Sequence, residues 1–294
     1  MICALFFVVD KAAYFLLQAA AKKEYDRRLE LILDGRMEKD VIIMGSSRAA
    51  HDILAGQLEE ETGLESYNLG YRGTDVSFHL FLLEKLIKHN EPPKKLIYVV
   101  DNPFMFSKDS VLRFNEKPLL PLAYKSEIND VLIDREVNSP VSKLLYLARI
   151  RKNQFLVSQQ EAPENYFIDS TGSHVYMGNS GTVDWKLDGQ GHRYEPSRAS
   201  QEKLEALEEL MKLSQQNDIT VYFVLPPNYF SFNTLFYDQF VEIVNGRFPI
   251  LVYHKDDPSY RDKAYFYDQS HLNKKGATLL TREISNYLNA NKTP

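Results

Sequence analysis

The feature that most constrains this chain is a repeated alternation of short, continuous apolar runs with longer amphipathic stretches. Val41-Ile42-Ile43-Met44 is apolar throughout and stops at Gly45. An unbroken run of this length marks a strand buried on both faces, because a strand with one wet face would alternate. Ser66 to Leu69 reads as a brief second strand and Lys95 to Val100 as a third. Between them lie a helical stretch from about Ile53 to Thr62, closed by Gly63, and a helix from Asp75 to His89 with Phe78, Phe81, Leu82 and Leu86 on one face. Pro92 and Pro93 separate that helix from the third strand. The pattern resumes late in the chain: helix Ser200–Gln216, strand Ile219–Leu225, helix Tyr229–Asn245, strand Pro249–Tyr253 and a final helix Lys274–Leu288. Strands joined through helices pair in parallel, and their helices cover both sheet faces, so the expected class is α/β with a central parallel sheet.

Two regions fall outside the alternation. From Pro103 to about Pro196 it dissolves into short apolar pieces, several prolines and a Gly/Ser/Asn-rich section from Gly172 to Gly191. So long a departure within a regular fold reads as an insertion with a role of its own, and residues 104–196 are expected to form a lid or substrate-binding region. At the other end, Ile2 to Val9 is apolar, Asp10 and Lys11 interrupt, and Ala12 to Ala21 is mostly apolar again before the charged stretch that begins at Lys22. A further helix is expected from Lys22 to Met37, closed by Gly35. A charged pair in mid-bilayer is costly, and a signal peptide would have a basic residue ahead of its apolar run. Two readings stay open: the lower half of a truncated membrane anchor, with Asp10 and Lys11 near the interface, or an amphipathic helix packed on the domain. The first places the domain outside the cytoplasm in the cell envelope, the second leaves it cytoplasmic. The expected division is thus an N-terminal helical region, 1–37, and a domain, 38–294, that carries the insertion.

Charge and cysteine content exclude several functions. The net charge is −5 with Lys and Arg scattered, so no basic footprint for nucleic acid exists. Cys3 stands alone, which rules out an internal disulfide and a cysteine zinc site. His79, His174, His192 and His254 lack metal-ligand spacing, and no Walker or dinucleotide glycine loop is present. No metal or other cofactor is expected. The 18 Tyr and 17 Phe, many of them after residue 165, suit core packing or the lining of a groove for an extended substrate. Oligomeric state is not legible.

Three motifs sit at the C-terminal ends of expected strands, where ligands bind in open α/β sheets. Met44-Gly45-Ser46-Ser47-Arg48 can turn tightly into a helix whose first N–H groups favour negative charge. Asn68-Leu69-Gly70 can present a backbone N–H to the same space, and Asp101-Asn102-Pro103 carries an amide able to donate to an oxyanion. Near the end, Asp268-Gln269-Ser270-His271 spaces a carboxylate and an imidazole so that the first can hold one ring nitrogen and leave the other to accept a serine proton. His51 is expected on the first helix, facing solvent or the mouth of the site. Arg48 is expected either to bind an anionic substrate group or to pair on the surface.

In these blocks the chain resembles the SGNH, or GDSL-type, hydrolase superfamily. The likeness spans about Asp40 to Val100 and Ser200 to the end, and rests on Gly45-Ser46-Ser47, Gly70, Asn102 and Asp268-x-x-His271 in that order. It implies a flavodoxin-like three-layer α/β/α fold. It further implies that Ser47 is the nucleophile, His271 its base and Asp268 the group orienting the imidazole, with Ser47 N–H, Gly70 N–H and the Asn102 side chain forming an oxyanion hole. Two departures stand out: Ser46 where the superfamily usually has Asp, and Val-Asp-Asn-Pro where it usually has Gly-x-Asn-Asp. Within the superfamily the likeness is to membrane-associated envelope proteins that handle O-acyl groups on surface polysaccharides or teichoic acids. The expected function is therefore an O-acyl esterase or acyltransferase acting on an acylated envelope glycan, a lipid-linked glycan or a small ester. The alternative is a catalytically silent protein of the same fold that binds a polysaccharide or an assembly partner.

Overall fold

The computed structural model describes residues 2–22, 24–101, 103–151, 167–178, 180 and 195–291. The chain forms two compact units, one of Met1–Asp34 with Asn115–Tyr166 and the other of Gly35–Phe114 with Phe167–Pro294.

The second unit holds a five-stranded sheet. Its strands are β1 (Val41–Met44), β2 (Ser66–Asn68), β3 (Lys95–Val99), β4 (Thr220–Leu225) and β5 (Ile250–Val252). All pair in parallel, in the order β2-β1-β3-β4-β5, which is the flavodoxin-like arrangement. Alternate residues face opposite layers. Val41, Ile43, Ile97, Val99, Tyr222 and Val224 pack against α3 (Ser47–Asp52), α4 (Ala55–Thr62) and α9 (Lys274–Ala290) through Ala49, Leu58, Ala277, Leu280 and Ile284. On the opposite face Tyr98 meets His79 of α5 (Val76–His89), and Phe223 meets Phe240 of α8 (Thr234–Val244). There α7 (Gln201–Gln216) lies beside α5. The result is the three-layer α/β/α fold with both sheet faces covered, as the continuous apolar runs require.

Three element boundaries differ from the sequence reading. The helical stretch expected from Ile53 is preceded by a separate short helix, α3, because Ile53 and Leu54 are extended (ψ 124° and 100°) and break the run in two. The helix expected over 22–37 is only α2 (Arg28–Leu33), since the Asp26 carboxylate accepts the Arg28 N–H and starts the helix late. Likewise α8 begins at Thr234 rather than Tyr229, where the Asn233 side chain accepts the Phe236 N–H and caps it.

In the first unit α1 (Ile2–Ala21) packs against the short 3-10 turns Leu120–Leu122 and Tyr146–Arg149. Ala13, Leu17 and Ala21 are buried, and Tyr14 meets Tyr124 and Tyr146 edge-on. Asp10, which looked misplaced in an apolar helix, is buried and accepts the Leu147 N–H at 3.0 Å. The same unit contains α6 (Ser126–Asp134). Leu5, Phe6, Phe7, Val8 and Val9 are exposed. The 18 residues Ala4–Ala21, mean hydropathy 1.5, form a helix long and apolar enough to cross a membrane. The residues expected as one insertion are shared: 115–151 lie with α1, while 167–178 lie with the sheet.

Candidate active site

The site begins where β1 ends. Gly45 has φ +147°, and a Cβ there would stand 2.9 Å from the Val99 carbonyl oxygen, so only glycine lets the chain turn this closely against β3. Ser46 is the residue before α3, but its side chain caps nothing; its hydroxyl donates to the buried Asp101 carboxylate. Ser47 is then the first residue of α3, half-buried, in a turn whose N–H groups have no intrahelical acceptor.

A loop from the far end of the chain meets it. The Tyr267 N–H donates to the His271 carbonyl at 2.9 Å, which closes a tight turn ahead of α9. Inside the turn, Asp268 Oδ1 accepts the backbone N–H groups of Ser270 and His271 at 2.8 and 2.9 Å. His271 Nδ1 lies 2.9 Å from both Asp268 carboxylate oxygens, and Nε2 lies 2.8 Å from Ser47 Oγ. A carboxylate only accepts, so Nδ1 carries the proton and Nε2 offers its lone pair to the serine hydroxyl. Burial pushes the Asp268 carboxyl up, but the His271 hydrogen bond and charge, with the two backbone N–H groups, outweigh it and hold the acid below its ordinary range. Residues 224 positions apart in sequence are thus joined in one hydrogen-bonded series, Ser47–His271–Asp268.

Behind the serine, α3 supplies a second, buried set. Arg48 is buried rather than at the surface. Its Nη2 donates to the Pro226 and Pro227 carbonyls, and its Nε lies 3.5 Å from Asp52 Oδ2. Asp52 is fully buried, and its Oδ1 accepts the Leu272 N–H at 2.9 Å. Burial raises its pKa to about 6, against the pull of Arg48 and His271. Asp101 is also raised by burial, against Arg48 and the Ser46 hydroxyl.

The expectation for His51 is corrected as well. It is fully buried, not solvent-facing, because residues 173–176 lie over it: His174 N–H donates to the Ala50 carbonyl, and His51 Nδ1 donates to the His174 carbonyl. The His51 ring stacks on Tyr176 (centroids 3.7 Å apart), which stacks in turn on Tyr267 (3.8 Å). Tyr176 also meets His271 edge-on at 5.8 Å. Burial, then the neighbouring His174 and His271, depress the His51 pKa to about 2, so its imidazole is neutral. This strap is further tied by Thr171 O to Asn68 N–H (2.8 Å), Ser173 Oγ to Ala55 N–H (2.8 Å) and Tyr176 O to Lys274 N–H (2.9 Å). Sequence reading missed Tyr176, Asp52 and Asn68. Only Asn68, a polar residue ending a buried strand, carried a visible signal. Beyond the strap Met177, Tyr265, Leu279, Lys274, Lys275 and Arg282 line a cavity of 780 Å³, and no described residue lining it is acidic.

The expected oxyanion donors fare differently. Gly70 lies against α3, where a Cβ would stand 2.4 Å from Ala50 N, but its N–H donates to Asn68 Oδ1 at 2.8 Å instead of opening to the site. Asn68 serves α3, its amide reaching the Ala49 and Ile53 carbonyls at 2.7 and 2.9 Å. Asn102 lies outside the described residues. His79 belongs to the core: with the Thr74 hydroxyl committed to the Tyr71 carbonyl, Nε2–H donates to Thr74 Oγ1 (2.9 Å) and Nδ1 accepts from Tyr98 (2.8 Å). Burial keeps it neutral, with a pKa of about 3. Among the described residues no cluster of His, Cys, Asp or Glu could hold a metal ion; His192 lies outside them.

No protein-family model and no curated protein sequence matches the chain. Among solved structures, it is similar to a Bacteroides fragilis protein provisionally described as an acylhydrolase, with a TM-score of 0.40, 13% identity, and coverage of 90% of this chain and 94% of that one.

Proposed function

We propose that this chain is a serine-dependent O-acyl esterase or acyltransferase of the SGNH, or GDSL-type, kind, acting on an envelope polysaccharide or a lipid-linked glycan. The observation that carries the reading is the 2.8 Å contact between Ser47 Oγ and His271 Nε2, with Nδ1 held by Asp268. In the reaction His271 takes the Ser47 proton as the oxygen attacks the acyl carbon. The tetrahedral intermediate leans on the Ser47 N–H and the Asn102 amide. Collapse expels the alcohol, which receives the proton from His271, and leaves an acyl-serine for water or a sugar hydroxyl to resolve. A fluorophosphonate probe tests this: phosphonylation at Ser47 supports it, and a folded protein that neither labels nor cleaves p-nitrophenyl acetate overturns it.

One observation favours a second reading, a silent binding protein of this fold. The Gly70 N–H is engaged by Asn68, which leaves one fewer donor for an oxyanion. The same probe separates the two.

The cavity beyond the strap supports an extended substrate with acidic groups, since an acidic chain gathers Lys274 and Lys275 there over apolar side chains, beside an Arg282 paired with Glu61. Charge reversal at Lys274 and Lys275 is expected to raise KM for an O-acetylated polyuronate by about tenfold, with p-nitrophenyl acetate turnover unchanged. An equal effect on a neutral acetylated glycan would refute the charge argument. The exposed apolar residues Leu5 to Val9 support membrane association through α1. After cell fractionation the chain is expected in the membrane pellet, and the variant Phe6→Asp with Phe7→Asp in the soluble fraction. Recovery of the unaltered chain as soluble protein counts against the anchor.

A further inference from the structure

We infer that Asp52 is a positioning residue for His271: its carboxylate ties the nucleophile helix to the histidine loop at the Leu272 N–H and is held there by a buried ion pair with Arg48. The inference rests on the reading of Ser47 and His271 as nucleophile and base.

The geometry is specific. Asp52 sits on α3, one turn and a half after Ser47, with no solvent exposure. One carboxylate oxygen holds the Leu272 N–H, the backbone group directly after His271. The other faces Arg48 Nε at 3.5 Å, and the Arg48 guanidinium reaches the Pro226 and Pro227 carbonyls after β4. Three chain segments that meet only in the folded state are therefore pinned to one another through the short helix that begins with the serine.

Asp268 fixes the rotation of the imidazole, but both its partners lie in the same five-residue turn, so it cannot fix where that turn stands relative to α3. Asp52 can, because it belongs to α3 and grips the turn at Leu272. A displacement of about 1 Å between base and nucleophile is enough to cost about a hundredfold in rate.

A full charge is needed as well as an acceptor. Arg48 is buried with carbonyl oxygens as its other acceptors, and a buried guanidinium stripped of its counter-charge is unfavourable. The charged groups facing Asp52 are Arg48 from α3, His271 from the loop and Asp101 from the end of β3. Burial keeps the proton affinity of Asp52 high, so ionisation works against the fold above pH 6 and is retained where it serves the site. For a raised carboxyl the sign is that stability is lost as pH rises through the folded pKa, and a neutral replacement escapes that loss only by leaving the buried Arg48 charge unmatched.

Asp52→Asn and Asp52→Ala, compared with the unaltered chain on p-nitrophenyl acetate and with the fluorophosphonate, test this. Asn keeps an acceptor for Leu272 N–H and loses the charge, whereas Ala loses both. The expected order of kcat is unaltered chain, then Asn, then Ala, with losses of about tenfold and about a hundredfold and KM within twofold. The acid limb of the Asp52→Asn pH–rate profile changes shape, because a carboxyl whose pKa burial raises to about 6 no longer titrates in it. Unchanged kcat and pH profile in both folded variants overturn the proposal, as does a loss of activity that merely follows a loss of Tm in both. Failure of the unaltered chain to label at Ser47 refutes the underlying reading instead.

Discussion

Ser47→Ala is expected to abolish fluorophosphonate capture and to lower ester turnover by about 10⁴-fold or more, with the fold intact. The fold is spared because Ser47 is not the cap of α3: that position belongs to Ser46, and its side chain faces Asp101. The Ser47 hydroxyl's partner is His271 Nε2, a half-buried contact whose loss changes stability by about 1 kcal/mol at most. His271→Ala should be equally inactive, and the double variant no worse than either single one, because nucleophile and base act as one unit. Asp268→Asn should lie close behind: an amide can donate to Nδ1 and so turn the ring to the tautomer that presents N–H, not a lone pair, to Ser47. Turnover of p-nitrophenyl acetate and mass-spectrometric location of the adduct measure all four. Residual activity above a few per cent in Ser47→Ala would exclude it as nucleophile.

What could be read in advance followed from residue types whose role is local. The strands were visible because a strand buried on both faces must be apolar throughout, and Ile42 and Ile97 leave no other placement. Ser47, Asp268 and His271 stood out through the order and spacing of their blocks, which carry the resemblance to the superfamily, and the fold brings the three together. What stayed hidden depends on contacts between distant segments. Arg48 reads as a surface residue until Pro226 and Pro227 are brought to it, and Asp52 reads as a polar helix residue until Leu272 is. His51 and Tyr176 were illegible for the same reason: their stacking arises only when a strap from the irregular region crosses α3. Gly70 was misread in the opposite sense. Its small size is required, but by the approach to Ala50 rather than by an oxyanion.

Ser46, which departs from the pattern of the superfamily the chain resembles, meets an acid of the neighbouring strand end in the fold. Ser46 stands where an acid is usual, and Asp101, one strand away, supplies an acid against its hydroxyl. The carboxylate has in effect changed sides of the same buried contact. Ser46→Asp, which restores the usual residue, should therefore be damaging here. It sets two carboxylates in contact where burial already raises Asp101, and two such groups cannot both ionise. The expected loss is about 3 kcal/mol at pH 8 by urea denaturation, from the desolvated like-charge pair. The sign with pH follows from the raised proton affinity of the pair: the penalty is full above its shifted pKa and shrinks as pH falls and one acid binds a proton. Asp101→Ser in the Ser46→Asp background leaves one hydroxyl and one carboxylate again, with their positions exchanged. That double variant should recover most of the lost stability, a coupling of about 2 kcal/mol or more in the cycle. If Ser46→Asp matches the unaltered chain at pH 8, or the exchange recovers nothing, the two positions are independent and the contact between Ser46 and Asp101 is incidental.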